Sequence, residues 1–493
     1  MKTLTYLILT KILKNRVIKA LTFFIPAVWI SACQLTYHSL QAPLPLVIPS
    51  KFRAQEDTTS IAQQSWKEFF KDEYLEALIE TALVYNRNLQ IAMQRIEASQ
   101  ALYLASKGQL LPSLHLITSA GVDKFGKYTM NGVGNFDTNL SGNISEDLRI
   151  PTNPTPDFFV GFRSSWELDI WGKLRNTKKA NSFRILASQA YKNMVITELV
   201  AQIGILYYEL VAIDSELRVI ERNTLLQQQM LNLIKAQKEA GKATSLAVQQ
   251  AEAQLLRTQS LEFSLKNQII ALENQINFLL GRSPQPVLRT PNFMEKPLLV
   301  VSYIGVPAQM LQLRPDVREA ELQLAAANYD YYAAQAALWP TLQLNTYTAL
   351  NAFSIEKFFN PASFAYGIAS GLTTPIFQYH QLKANKKIAQ TNAYSAYLNY
   401  QNKVLSALNE VNTLLQTLEN LEKIYSLREQ ELSTLRKAVE SSKNLFFTGF
   451  ANYLEVITAQ KGVLEAEIDL FEIRKNQFNT AIQIYKALGG GWQ

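Results

Sequence analysis

The sequence is short of everything from which small catalytic or metal-binding sites are built. Its 493 residues include one cysteine, Cys33, and three histidines, His38, His115 and His380, at separations that match no ligand spacing. A lone cysteine rules out an internal disulfide. No zinc motif, glycine-rich phosphate loop or serine elbow is found. Acids that recur on helical spacing, such as Glu465 and Asp469, read as a solvated or pore-lining surface rather than an acid/base pair. Neither an enzyme nor a metal or organic cofactor is expected. Glycine and proline are scarce, 19 and 17 residues, which suits long regular elements. A usable excess of charge is missing too. The formal charge is +7, but Lys2, Lys11, Lys14, Arg16 and Lys19 all precede residue 33 with no acid among them, and without them 43 bases face 41 acids. The rest of the chain has no general attraction for phosphate, and no nucleic-acid partner is expected. No apolar stretch of 18 residues is evident beyond the N-terminal region, so a membrane crossing would have to use strands.

What is present begins with that N-terminal region. The five bases precede an apolar run of eleven residues, 20–30, then Ser31-Ala32-Cys33. The run is too short for a spanning helix, which needs about 20 residues. A basic region, a short apolar core and small residues make a secretory signal, expected over 1–32. Ser-Ala-Cys resembles a bacterial lipobox, in which the thiol is acylated and becomes the mature N-terminus. The alternative is a stray buried cysteine beside a cleavage site. Residues 33–71 are then a lipid-anchored extended segment.

The remainder is an internal duplication. Pro112 and Pro340 each end an alanine-rich helical run and open an alternating one, 228 positions apart. Further on the offset is constant at 208: Lys178-Lys179 matches Lys386-Lys387, Gly241 matches Gly449, Leu246 matches Leu454, and Leu280-Gly281 matches Leu488-Gly489. The repeats are read as 72–284 and 305–493, joined by a proline-punctuated linker over 285–304. The change of offset falls in the loop between each repeat's two strands, about 124–157 and 351–363.

Strands are expected at about 111–123 and 158–171, and at about 340–350 and 364–377. In the second, Phe158, Val160, Phe162, Trp166, Leu168 and Ile170 oppose Arg163, Ser165, Glu167 and Asp169. In the fourth, Phe364, Tyr366, Ile368, Leu372 and Ile376 oppose Ala365, Gly367, Ala369 and Gly371. Period two with one apolar face suits either a half-buried sheet or a lipid-facing barrel wall, and no second apolar layer is evident to cover it. Long helical hairpins are expected at about 176–281 and 384–488. The first helix of each runs about 60 residues, roughly 90 Å. The second carries heptad rows, such as Val248, Leu255, Ile269 and Ile276, and Val456, Val463, Leu470 and Ile484, with Glu262 and Gln477 as polar intruders. Gly241 and Gly449 mark the far tips, where glycine supplies the left-handed cap.

In this order, SWKEFF (65–70), SWELDIWGKLR (165–175), LQLRPDVREAE (311–321), TGFANYLEV (448–456) and YKALGGGW (485–492) make the chain resemble the TolC-like outer membrane efflux proteins, specifically the OprM-type lipoprotein branch. The resemblance implies a mixed α and β membrane protein and a homotrimer. Each chain gives four strands to a 12-stranded β-barrel and two hairpins to an α-helical barrel in the periplasm. It implies a passive exit duct of a tripartite pump in the cell outer membrane, with a periplasmic adaptor and an inner-membrane transporter of the resistance-nodulation-division type. The same duct could serve metal-ion efflux or type I secretion, and a coiled-coil structural lipoprotein without a pore is the reading from another class. The resemblance also implies diacylglycerol and an N-acyl lipid on Cys33, with Gln34 in place of an aspartate favouring the outer membrane. It assigns the gate and partner contact to the tips: Gly241, Ala243 and Leu246, and Gly449, Ala451 and Leu454. The family often carries an acid two positions after the tip glycine. Here Ala243 and Ala451 stand there, so a small apolar constriction is expected. Phe446, Phe447, Phe450 and Tyr453 cluster at the second tip and face either the pore or a neighbouring hairpin, while Glu455 is the nearest acid. Independently of the family, four strands in lipid leave two edges of unpaired N–H and C=O groups, each costing several kcal/mol, so several chains must close one barrel.

Overall fold

A computed structural model describes Pro49 and residues 60–151, 154–291, 293–299 and 305–493. Cys33, the expected signal region and parts of the linker lie outside the described residues. In the first repeat, three helices, α1 (Trp66–Phe70), α2 (Glu73–Tyr85) and α3 (Arg87–Gly108), lead to β1 (Ser113–Asp123). The loop holds a helix, α4 (Met130–Leu140), begun by Thr129 as N-cap. Then come β2 (Thr155–Leu168), α5 (Lys173–Glu239) and α6 (Ser245–Leu279). The second repeat has α7 (Pro307–Leu313), α8 (Pro315–Ala336), β3 (Thr341–Ala352), β4 (Phe364–Thr373), α9 (Tyr379–Thr448) and α10 (Tyr453–Ala487).

The strands form one antiparallel sheet in chain order. Their limits differ from expectation for local reasons. Before β1, turn hydrogen bonds from Leu110 and Leu111 finish the helix, so extension begins only after Pro112. β2 stops at Leu168 because Asp169 turns to cap α5, its carboxylate accepting the N–H groups of Leu174 (3.0 Å) and Arg175 (2.8 Å). Ile170 therefore lies outside its strand, and Ile376 lies beyond the end of β4 at Thr373. Both helix-to-strand junctions are pinned by tryptophans: Trp166 donates to the Leu110 carbonyl (3.0 Å), and Trp171 donates to that of Pro340 (2.8 Å) while stacking on Trp339 at 5.2 Å.

The long helices are packed in stages. Near the sheet, α3 and α8 line α5. Ala187 and Ala190 pack on Leu322, Phe183 stacks on Tyr329 at 5.4 Å, and Arg95 lies 4.5 Å over the Tyr191 ring. Toward the tips, α6 and α10 take over as coiled-coil partners, with Leu432 on Ala466 and Leu470. At mid-length an aromatic core gathers Tyr207 and Tyr208 of α5, Phe478 and Tyr485 of α10, Phe69 and Phe70 of α1, and Phe293 of the linker. Full burial of each side chain is worth about 1.5–3 kcal/mol. α5 does contain an 18-residue window of mean hydropathy 1.5, contrary to the sequence reading, but 72% of that window is buried. It is this core, whose apolar residues face protein. Gly204 lets the Phe70 ring lie against α5, where a Cβ would come within 2.9 Å of it. The linker is a strap: Arg289 ion-pairs with Asp214 of α5 and Glu273 of α6.

The duplication is visible at one corner. Asn86 caps α3 and donates to the Leu279 carbonyl at the end of α6 (2.8 Å). Its counterpart Arg314 precedes α8 and donates to the Ala487 carbonyl at the end of α10 (2.8 Å), while holding Asp316 (2.9 and 3.0 Å) and Glu410 (2.7 Å). This explains the Arg-Pro-Asp string: it joins three helices.

Candidate functional site

Two places could act on something outside the chain, the sheet and the hairpin tips. In the sheet, register sets Leu116, Phe162, Thr348 and Tyr366 in one row and Leu114, Ser164, Thr346 and Ile368 in the next. Because side chains alternate, one face collects Leu114, Leu116, Phe162, Phe364, Tyr366 and Ile368. All six are exposed, Ile368 at 75%. No described layer covers them, and a patch this apolar signals a lipid or protein contact. The opposite face carries His115, Arg163, Ser165, Asn345, Tyr347 and Asn351, with small residues along β4. The outer edges of β1 and β4 have no strand partner among the described residues. The sheet therefore has one apolar and one polar face, and no element among the described residues closes it.

At the tips, Gly241 and Gly449 take φ of 74° and 79° and end their helices with paired carbonyl bonds: Lys242 N–H to Gln237 and Phe450 N–H to Leu445. The return helices restart on side-chain caps. Thr244 accepts the Ala247 N–H (3.1 Å), and Asn452 with Glu455 forms a reciprocal capping box. Glu455 is thus tied to the local backbone. Ala243 and Ala451 are half-buried on a groove between the two tips, and Leu246 and Leu454 are exposed beside it. The aromatic cluster divides. Phe446 and Tyr453 pack with Leu231, Ile234, Val248 and Leu255 of the other hairpin, and burial pushes the Tyr453 phenol up to about 12. Phe447 and Phe450 remain exposed at 67% and 84%.

The family model described as outer membrane efflux protein matches residues 78–282 and 306–490. The chain belongs to this family. Among curated relatives, the cation efflux system protein CusC of Escherichia coli O6:H1 is 26% identical over 478 residues, 95% of this chain and 98% of that protein. The pyoverdine export outer membrane protein OpmQ of Pseudomonas aeruginosa is 27% identical over 479 residues, 94% and 96% of the two chains. The solved outer-membrane channel OprN superposes with a TM-score of 0.81 at 23% identity, over 92% of this chain and 98% of that one. That likeness establishes the shared fold.

In this member of the family the sheet and the first hairpin tip lie at the two ends of α5. One further contact lies between them and was not read from the sequence. Glu467 of α10, 7% exposed, accepts from Arg436 of α9 (2.8 Å) and Arg222 of α5 (3.4 Å), so one carboxylate ties the two hairpins. Its partners lie 31 and 245 positions away, beyond any local pattern. The capping box was not read from the sequence either, where Glu455 stood only as the nearest acid, although Asn-x-x-Glu after the tip glycine is a local signal for it.

Proposed function

We propose that this outer membrane efflux protein is a passive exit duct, closed by three copies of the chain. Four strands from each copy form a 12-stranded barrel, and the hairpins continue it as a helical tube in the periplasm. The observation that carries this is the sheet: one uncovered apolar face, one polar face, and two unpaired edges. In hydrocarbon each unpaired edge group costs several kcal/mol, so the sheet must meet another copy at both edges. The polar face then lines water and the apolar face meets lipid. The long helices, about 100 Å each at 1.5 Å per residue, reach away from the membrane toward partners.

The tips are the place for a periplasmic adaptor, which couples the duct to an inner-membrane transporter of the resistance-nodulation-division type. Exposed Leu246 and Leu454 with Phe447 and Phe450 offer the contact surface, and Ala243 and Ala451 give a small apolar constriction in place of a carboxylate ring. Cys33 carries the lipid anchor. One relative is named for cations and another for pyoverdine, so the shared architecture does not select the cargo. Reconstitution in planar bilayers tests the reading. Stepwise single-channel conductance is expected, and a purified assembly that inserts without conducting would leave only a structural lipoprotein.

A further inference from the structure

The polar face of the sheet carries few charges, and they are unevenly placed. Glu167 ion-pairs with Lys173 at the helical end (2.6 Å), and Asp157 accepts from Asn351 at the other end (2.7 Å). Between them stands Arg163. It is four residues from Glu167 and six from Asp157 along β2, or about 13 and 20 Å at 3.3 Å per residue. No carboxylate among the described residues pairs with it. Its guanidinium instead lies 4.8 Å over the ring of Phe159, which is 8% exposed. A cation–π contact orients the group and leaves its charge uncompensated.

The neighbours make room around it. In register, Arg163 faces His115 on one side and Tyr347 on the other. Tyr347 leans away, its ring lying over Gly367, where a Cβ would sit 2.3 Å from it. The result is an open groove across the sheet, lined by His115, Arg163, Ser165, Asn345, Tyr347 and Ala369. It offers a guanidinium fork, an imidazole, a phenol and an amide, and no acid.

We infer that Arg163, with His115 and Tyr347 beside it, is an anion-binding site on the inner face of the barrel, suited to multiply charged organic anions such as sulfonates, phosphates or polycarboxylates. The inference rests on the duct reading, which makes that face the lumen and brings three copies of Arg163 to one height. Guanidinium binds such groups bidentately, and three in one lumen favour ligands with several charges. A cargo bearing them would be held and passed at this level, and the barrel stage would favour anions.

The test is binding of the fluorescent trisulfonate pyranine to the detergent-extracted full chain at low salt, read by polarisation. The wild type should bind, and salt should weaken the binding. Arg163→Gln should bind at least about tenfold more weakly, losing the charge-assisted bonds, and Arg163→Lys should retain most of the affinity. No binding by the wild type, or equal affinity in Arg163→Gln, overturns the site. A second arm separates this from failure of the duct reading. Arg163→Cys in a Cys33→Ser chain, assembled in membranes, should react with a membrane-impermeant maleimide. An unreactive thiol in a folded assembly would overturn the duct itself.

Discussion

The repeated corner where each hairpin ends allows one prediction to be worked closely. Gly281 and Gly489 have φ of 66° and 98°, and a Cβ on either would strike the backbone of the opposing turn. At Gly281 it would lie 2.5 Å from the Tyr85 carbonyl oxygen, and at Gly489 2.7 Å from the Leu313 carbonyl carbon. Gly241 and Gly449 at the tips have φ of 74° and 79°, yet a Cβ there meets nothing within 4 Å. Alanine at a tip therefore incurs only the left-handed strain, about 1–2 kcal/mol. Alanine at a corner incurs the same strain and must also displace a packed backbone segment, which adds about 1–3 kcal/mol. Moving that segment also disturbs the bonds from Asn86 and Arg314 to the Leu279 and Ala487 carbonyls. Gly281→Ala and Gly489→Ala should thus lose about 2–5 kcal/mol in all. Thermal melts of the four single variants in detergent, followed by circular dichroism at the helical band, should fall into two groups, with the corner variants melting lower. Equal melting of all four, or tip variants melting lower, would refute the reasoning.

Other predictions follow from the anchor, the tip and the helix junction. Cys33→Ser should abolish incorporation of labelled palmitate while the chain still assembles in the membrane, and label persisting in the variant would contradict lipidation there. Ala451→Asp should raise cation selectivity and sensitivity to divalent block in the reconstituted channel; no change in either would mean that Ala451 does not line the constriction. Arg314→Ala strips Asp316 and Glu410 of their shared partner. Breaking such a pair when buried costs about 3–5 kcal/mol, and the cost here falls toward the lower end because Glu410 is partly exposed. A melting loss should follow, whereas an unchanged melt would show that Asp316 rehydrates freely.

Much of the architecture was legible because it is written in period and punctuation. Phe158 to Leu168 alternates, Pro112 and Pro340 stop helices, and the tip glycines recur at a fixed offset. What was misplaced depends on single side chains acting across a break. Asp169 reads as the polar partner of Glu167 on a strand until it is seen capping α5. Gln477 reads as a flaw in the heptad row, but it is 1% exposed and its amide donates to the Leu421 carbonyl at 3.3 Å on the facing helix. The apolar middle of α5 was not singled out, since Glu198 and Glu209 interrupt it. At the candidate sites, the tip residues were found by position. Their division into tucked Phe446 and Tyr453 and exposed Phe447 and Phe450 depends on the neighbouring hairpin, which no local pattern encodes. Arg163 was read as one polar residue among several. Its isolation emerges only when the four strands are in register.

The central claim is that one chain cannot close its own membrane wall. Native mass spectrometry of the full-length protein, extracted in mild detergent and released from the micelle, measures this directly. The account predicts a species of three times the mass of the mature lipidated chain. A monodisperse monomer that still conducts ions when reconstituted would contradict it.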